Sequence, residues 1–303
     1  MGRRSLVVVS DLDGTLLDHD TYSAVAVRPA LDRLRRAGAV IVLCSSKTRA
    51  EIEAVQRDLG LTGPFITENG GGVFFAAGSV PAGCWPFRRL GGYDLIGMGL
   101  PHAQVVARLR SAAGAAHVRI RGFTDMTAED VAADSGLSVP RARLAKCRDF
   151  GEPFLMLDAG ADAADRLARS CRDQGLTLTR GGRYHHASGP HDKGAAVRLL
   201  RDVLAAGSSR PLLVGFGDGL NDEAMLAATD VAVIVRGHDP EVTAELQNRL
   251  PGALVTPHVG PKGVAEVIDG ALPSMIRTVD PDASWPGPGG DCAPGPSGQE
   301  TTR

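Results

Sequence analysis

Apolar positions along this chain follow two rhythms, one continuous and one with helical spacing. Leu6-Val7-Val8-Val9 is an unbroken β-branched run, the pattern of a strand covered on both faces. Val27, Ala30, Leu31 and Leu34 then recur at helical spacing. Ala39 to Leu43 repeats the strand pattern. Ile52, Val55 and Leu59 mark a second helix, closed by Gly60, and Phe65-Ile66 is a short third strand. This βαβαβ order predicts a parallel sheet with right-handed crossovers. The rhythm returns late. Val197, Leu200 and Leu204 share a helix face after Lys193; Leu212-Leu213-Val214 is a strand, Glu223 to Ala228 a helix, Val231 to Val235 a strand, and Lys262 to Leu272 a closing helix.

The middle breaks the pattern. Helices over Ala103 to Ala112 and Asp162 to Asp173 mix with strands near Val118-Arg119-Ile120, Phe154 to Leu157 and Leu176 to Thr179. The expected fold class is α/β: a Rossmann-like parallel-sheet core with an inserted α/β cap domain. The core takes residues 1–85 and 188–278, and the cap residues 86–187. Residues 279–303 are rich in Pro, Gly, Ser and Asp without apolar periodicity, which predicts a disordered tail.

Composition narrows the function classes. The chain has 303 residues, room for one or two domains, and 43% hydrophobic residues give it an ample core. A net charge of −2 and only 4% aromatic residues argue against a nucleic-acid partner. No apolar run is long enough to span a bilayer, so no membrane partner is expected. The apolar run after Met1-Gly2-Arg3-Arg4 ends at Asp11, too soon for a signal peptide. Five scattered cysteines with no C-x-x-C pair fit a reducing compartment. A cytoplasmic location is therefore expected.

Four segments carry candidate chemistry. Asp11-Leu12-Asp13-Gly14-Thr15-Leu16 stands where the first strand ends, and ligands of open parallel sheets bind outside the carboxyl ends of strands. One carboxylate can attack phosphorus, and the other can serve as acid and base. The same residues also read as an Asp/Gly turn. At the end of the second strand, in Cys44-Ser45-Ser46-Lys47-Thr48, Ser45 can hydrogen-bond a phosphoryl oxygen, while Ser46 or Thr48 suits a helix N-cap. Cys44 reads as a small buried residue. Lys193, in Asp192-Lys193-Gly194, can neutralise a phosphoryl group or be a solvated charge. In Gly215-Phe216-Gly217-Asp218-Gly219-Leu220-Asn221-Asp222, the two acids four residues apart can converge on a hard cation such as Mg²⁺, or form an acidic turn. His185-His186 and His191 do not make a zinc site, because adjacent strand residues face opposite sides.

Taken in order, these segments resemble the haloacid dehalogenase-like phosphotransferases. The resemblance implies Asp11 as nucleophile and Asp13 as acid/base. It also implies Mg²⁺ held by Asp11, the Asp13 carbonyl and Asp218 with support from Asp222, and phosphate bound by Ser45 and Lys193. A closer resemblance rests on Cys44-Ser45-Ser46-Lys47-Thr48, Glu68-Asn69-Gly70-Gly71-Gly72, Arg121-Gly122-Phe123-Thr124-Asp125-Met126, Arg148-Asp149-Phe150-Gly151-Glu152-Pro153-Phe154 and Gly181-Gly182-Arg183-Tyr184-His185. These segments look like mannosyl-3-phosphoglycerate phosphatases, from about Leu6 to Leu272. Members of that family often carry Ser-Pro where this chain has Gly219-Leu220, and a less Ala-rich stretch at Arg108 to Ala116. The resemblance implies dephosphorylation of mannosyl- or glucosyl-3-phosphoglycerate to the glycosylglycerate, a compatible solute.

As physical chemistry, Arg121, Lys146, Arg148 and Arg183 suit a glycerate carboxylate, and Asn69, Thr124, Asp125 and Glu152 suit sugar hydroxyls. Gly70 and Asn221 join them as substrate contacts. Asn69-Gly70 is equally a turn signal, and Arg121 and Arg148 can pair with nearby Asp. The expected partner is thus a small phosphorylated sugar-glycerate; the sequence fixes no oligomeric state. Two alternatives stand beside this: a general sugar-phosphate phosphatase or phosphohexomutase of the same superfamily, and a non-catalytic phosphosugar-binding module.

Overall fold

The computed structural model describes residues 5–273, apart from 159, 182 and 207–208. In chain order the elements are β1 (Leu6–Ser10), α1 (Arg28–Arg36), β2 (Val40–Cys44), α2 (Arg49–Leu59), β3 (Phe65–Thr67), β4 (Gly72–Ala76), β5 (Arg88–Leu90) and β6 (Tyr93–Gly97). The middle holds α3 (His102–Ala116), β7 (Ile120–Gly122), α4 (Ala128–Ser135), α5 (Val139–Ala145), β8 (Gly151–Met156), α6 (Ala161–Asp173), β9 (Thr177–Gly181) and β10 (Tyr184–Ser188). Then come α7 (Lys193–Ala205), β11 (Leu212–Gly217), α8 (Glu223–Ala227), β12 (Val231–Arg236), α9 (Pro240–Arg249), β13 (Leu254–Val259) and α10 (Gly260–Gly270). Single 3₁₀ turns occupy Glu68–Gly70, Phe123–Asp125 and Leu220–Asp222.

Two sheets form. One runs β13-β12-β11-β1-β2-β3-β4-β6-β5, the other β7-β8-β10-β9. Contacts divide the chain into two units: residues 1–42, 74–96 and 197–303, and residues 43–73 and 97–196. The boundaries fall inside β2, β4, β6 and α7.

In the first unit, β1 pairs in parallel with β11, β11 with β12, and β12 with β13. Every residue of β1 is buried, which is why its sequence does not alternate. Helix α1 buries Ala30, Leu31 and Leu34, and its Arg33 makes a two-oxygen ion pair with Asp269 of α10. The strand order runs outward from β1 in both directions, so β1 and β11 flank the topological switch point, where ligands of such sheets bind.

In the second unit, β2 continues in parallel with β3 through Leu43 and Phe65. Helix α2 opens on a capping box in which Thr48 accepts from Glu51 N and Glu51 accepts from Thr48 N. Thr48, not Ser46, is therefore the cap. Gly60 closes α2 in the left-handed conformation at φ 64°. The four-stranded sheet is antiparallel throughout. Val105, Leu109 and Ala112 of α3 join Leu167 and Cys171 of α6, Phe154 of β8 and Ala187 of β10 in one core. A smaller cluster joins Phe123, Met126, Val131, Ala142 and Ala145.

Two helix boundaries differ from expectation. Helix α3 runs on through Ala116 and ends on His117 at φ 53°, so Val118 packs into the core and the strand begins at Ile120. The closing helix begins earlier, at Gly260, with Pro261 in its first turn. The expected tail lies outside the described residues.

Candidate active site

The first unit gathers the acids. Asp11 follows β1, and its N–H donates to the Phe216 carbonyl of β11 at 2.9 Å. Asp218 and Asp222 follow β11 in the turn leading to α8. Asp11, Asp218 and Asp222 each offer a carboxylate oxygen within 4.8 Å of the others. Asp11 is 7% and Asp222 1% exposed. Asp222 Oδ2 accepts from the N–H groups of Asp218 and Gly219 at 3.1 and 3.0 Å, which fixes the turn. Thr15 donates its hydroxyl to Asp218 Oδ1 at 2.7 Å. Gly14 lies at φ 77°, and a Cβ there would stand 2.4 Å from Asp218 Oδ2. Asp13 is partly buried and bridges Leu17. Asn221 is exposed in the same turn as Asp218.

Three carboxylates at this spacing repel one another unless a cation sits among them. Their hard oxygens suit a divalent metal, and the cradle left by Gly14 keeps Asp218 close. The residues present thus fit a metal site. The expectation for Asp13 was a ligand through its carbonyl, which is a different atom from the carboxylates of this cluster.

The second unit holds Ser45 and Lys193, both 1% exposed. Ser45 stands at the end of β2, where its N–H donates to the Ile66 carbonyl at 3.1 Å. Its hydroxyl accepts weakly from Lys47 N at 3.3 Å. Lys193 opens α7. The turn at Glu68–Gly70 stands beside both. Asn69 N donates to the Ser45 carbonyl at 3.0 Å, and a Cβ on Gly70 would meet the Asp192 carbonyl at 2.3 Å.

The remaining substrate candidates differ in what they touch. Asn69 Oδ1 and Arg148 Nε are buried atoms with no hydrogen-bond partner among the described residues. Such atoms cost about 1–3 kcal/mol each unless a ligand or water satisfies them. Arg148 also donates to the Ser46 carbonyl at 2.9 Å and lies 3.8 Å from Glu68, so its partner is a Glu, not an Asp. Arg121 pairs with Asp130 at 2.8 Å, and Asp125 with Arg110 at 2.6 Å. Lys146 donates to the Phe123 and Met126 carbonyls, and Arg183 pairs with Asp134. Glu152 is buried and accepts from Thr124 N at 2.8 Å and from His102 Nε2 at 2.7 Å. An Arg carries five N–H donors, so one ion pair leaves others for a ligand.

Sequence reasoning passed over Thr15, Glu68 and His102, and weighed His191 only as a zinc ligand. Thr15 and Glu68 lay inside quoted motifs, yet their partners are distant in sequence and nothing local reveals them. His186 is partly buried, and desolvation with Arg148 nearby lowers its pKa to about 4. His185 stacks on Phe154 with ring centroids 5.5 Å apart. Cys44 is fully buried, as expected of a small core residue.

Known proteins resemble this chain in sequence and fold. Residues 8–80 match the model of the haloacid dehalogenase-like hydrolases. A glucosyl-3-phosphoglycerate/mannosyl-3-phosphoglycerate phosphatase from Methanococcoides burtonii is 37% identical over 233 residues, 77% of this chain and 85% of that protein. A protein of the same name from Persephonella marina is 35% identical over 271 residues, 87% and 96% of the two chains. The crystal structure of a haloacid dehalogenase-like hydrolase from Bacteroides thetaiotaomicron superposes with a TM-score of 0.61 at 18% identity, covering 88% of this chain and 99% of that one, a likeness of fold. With relatives this similar over most of both chains, the chain belongs to the haloacid dehalogenase-like hydrolases, in the family of the glucosyl-3-phosphoglycerate/mannosyl-3-phosphoglycerate phosphatases.

Proposed function

We propose that this protein is a Mg²⁺-dependent phosphatase whose substrate is glucosyl-3-phosphoglycerate or mannosyl-3-phosphoglycerate. The observation that carries the chemistry is the acid cluster of Asp11, Asp218 and Asp222 at the switch point of a parallel sheet. The names of the two relatives support the substrate.

In this reading a carboxylate oxygen of Asp11 attacks phosphorus. The bond from phosphorus to the ester oxygen breaks, and Asp13 gives that oxygen its proton. Asp13, now a carboxylate, takes a proton from water; the water oxygen attacks phosphorus, and the phosphorus–oxygen bond to Asp11 breaks. Inorganic phosphate leaves, Asp11 is again a carboxylate and Asp13 again an acid. Ser45 and Lys193 bind the phosphoryl oxygens. Asp11, the Asp13 carbonyl, Asp218 and Asp222 would hold Mg²⁺, which when bound offsets negative charge on the carboxylates and the phosphoryl group. Asn69 and Arg148 are the substrate contacts best supported, because each keeps a buried polar atom for a ligand. Gly70, Arg121, Thr124, Asp125, Lys146, Glu152, Arg183 and Asn221 complete the proposed set.

The test is release of inorganic phosphate, with and without Mg²⁺, from both glycosyl-phosphoglycerates, free 3-phosphoglycerate and hexose phosphates. Preference for the glycosyl-phosphoglycerates supports the reading. Equal efficiency across the panel makes the protein a general sugar phosphatase. Isomerised hexose phosphate would mark a mutase, and no turnover would mark a binding module.

A further inference from the structure

The turn after β3 is unusual in its backbone. Glu68, Asn69 and Gly70 lie in succession at φ 49°, 57° and 101°. Two of the three are not glycine, and L-residues disfavour this region. Something must hold the turn there.

The Glu68 side chain does so. It is 4% exposed and spends both oxygens on one segment: Oε1 accepts from Asp149 N at 2.8 Å and Oε2 from Phe150 N at 3.1 Å. Arg148 stands 3.8 Å from Oε2 and ties the same segment to the Ser46 carbonyl. Burial pushes the Glu68 carboxyl above its usual range, while Arg148 and the two N–H groups pull it back.

The Glu68 main chain bonds to other segments. Its N–H donates to the Lys47 carbonyl at 3.1 Å, next to the bond from Asn69 N to the Ser45 carbonyl. Its own carbonyl accepts from His191 Nε2 at 3.1 Å, two residues before Lys193. Gly70 fits directly against the Asp192 carbonyl.

We infer that Glu68 is a positioning residue: its carboxylate locks the left-handed turn Glu68–Gly70, and that turn sets the backbone carrying Ser45 and Lys193 for phosphate. The inference rests on Ser45 and Lys193 being the phosphate ligands proposed above. It assigns Glu68 no contact with substrate.

The test compares the full chain with Glu68→Gln and Glu68→Gly. Gln keeps the size but loses the charge and one acceptor. Gly removes the carboxylate and also the cost of a left-handed φ, so a folding defect at this position is minimised. Three quantities are read: the inhibition constant of inorganic phosphate, kcat and KM for p-nitrophenyl phosphate and for a glycosyl-phosphoglycerate, and the Mg²⁺ concentration giving half activity. The expected result in both variants is about tenfold or greater weakening of phosphate inhibition, since a hydrogen bond to a charged group is of that size. An equal fall in kcat/KM on both substrates should accompany it, with the Mg²⁺ requirement unchanged. Wild-type phosphate inhibition in a folded variant would overturn the inference. So would a loss confined to KM for the glycosyl substrate, which would make Glu68 a sugar contact. If the wild type hydrolyses none of these esters, the functional reading fails instead. Phosphate-induced thermal stabilisation of wild type and variants then still decides the role of Glu68.

Discussion

Thr15 donates its hydroxyl to Asp218 Oδ1 at 2.7 Å across 203 residues of sequence. The bond ties the turn after β1 to the turn after β11 and orients one of the three clustered acids. A hydrogen bond to a charged group contributes about 1.5–3 kcal/mol. Thr15→Val keeps the shape and removes the donor. It should raise the Mg²⁺ concentration for half activity roughly 10–100-fold. Thermal stabilisation by Mg²⁺ should weaken in step, because the metal stabilises only through what it binds. Unchanged Mg²⁺ dependence would mean that Asp218 needs no such support.

Gly14 meets the same carboxylate from the other side. A methyl group there would stand 2.4 Å from Asp218 Oδ2 on a backbone held at φ 77°. Gly14→Ala should therefore lower stability by about 1–3 kcal/mol, through left-handed backbone and steric conflict together. It should also depress kcat more than Thr15→Val does, because Asp218 must move. Urea denaturation and steady-state kinetics on one preparation check both parts.

The proposed division of labour between Asp11 and Asp13 gives distinct outcomes. Asp11→Asn removes the attacking oxygen anion, so turnover should fall by about three orders of magnitude or more with the fold intact. Asp13→Asn leaves the nucleophile but cannot activate water, so it should accumulate a phosphorylated chain visible as added mass. Near-native activity of Asp11→Asn would rule out the covalent route.

Much of this was legible in the sequence because strand and helix periods are local. The runs at Leu6 to Val9 and Leu212 to Val214 announce buried parallel strands, and the acids stand immediately after them. Substrate contacts were harder to read, because charge composition does not say where a charge is spent. Arg121, Lys146 and Arg183 look alike in sequence, yet one pairs with Asp130, one donates to two backbone carbonyls and one pairs with Asp134. Glu68 reads as an ordinary polar residue before a turn, and only tertiary packing gives it Asp149, Phe150 and Arg148. Strands such as β13, which contains Pro257, also escape a reading based on β-branched runs.

The last prediction concerns acid. His186 on β10 has its pKa lowered from 6.5 to about 4, first by burial and then by Arg148 and His185. His185 and His191 are also lowered, chiefly by burial. A lowered histidine binds its proton more readily in the unfolded chain, so stability falls as pH drops from 6.5 toward 4. Glu68 has the opposite sign. Its raised pKa favours the folded state at low pH and costs stability as pH rises through it. Asp130 and Asp158 are lowered below 3.8, so their contributions are lost only further into acid. The histidines and Glu68 thus act with opposite signs between pH 6.5 and 4, and a single-histidine variant isolates the histidine share. His186→Gln should flatten the decline there by up to roughly 3 kcal/mol, the value of its shift at about 1.4 kcal/mol per unit. Urea unfolding followed from pH 7.5 to 4 in wild type and variant measures it. Parallel curves would mean that His186 takes up its proton equally well folded and unfolded.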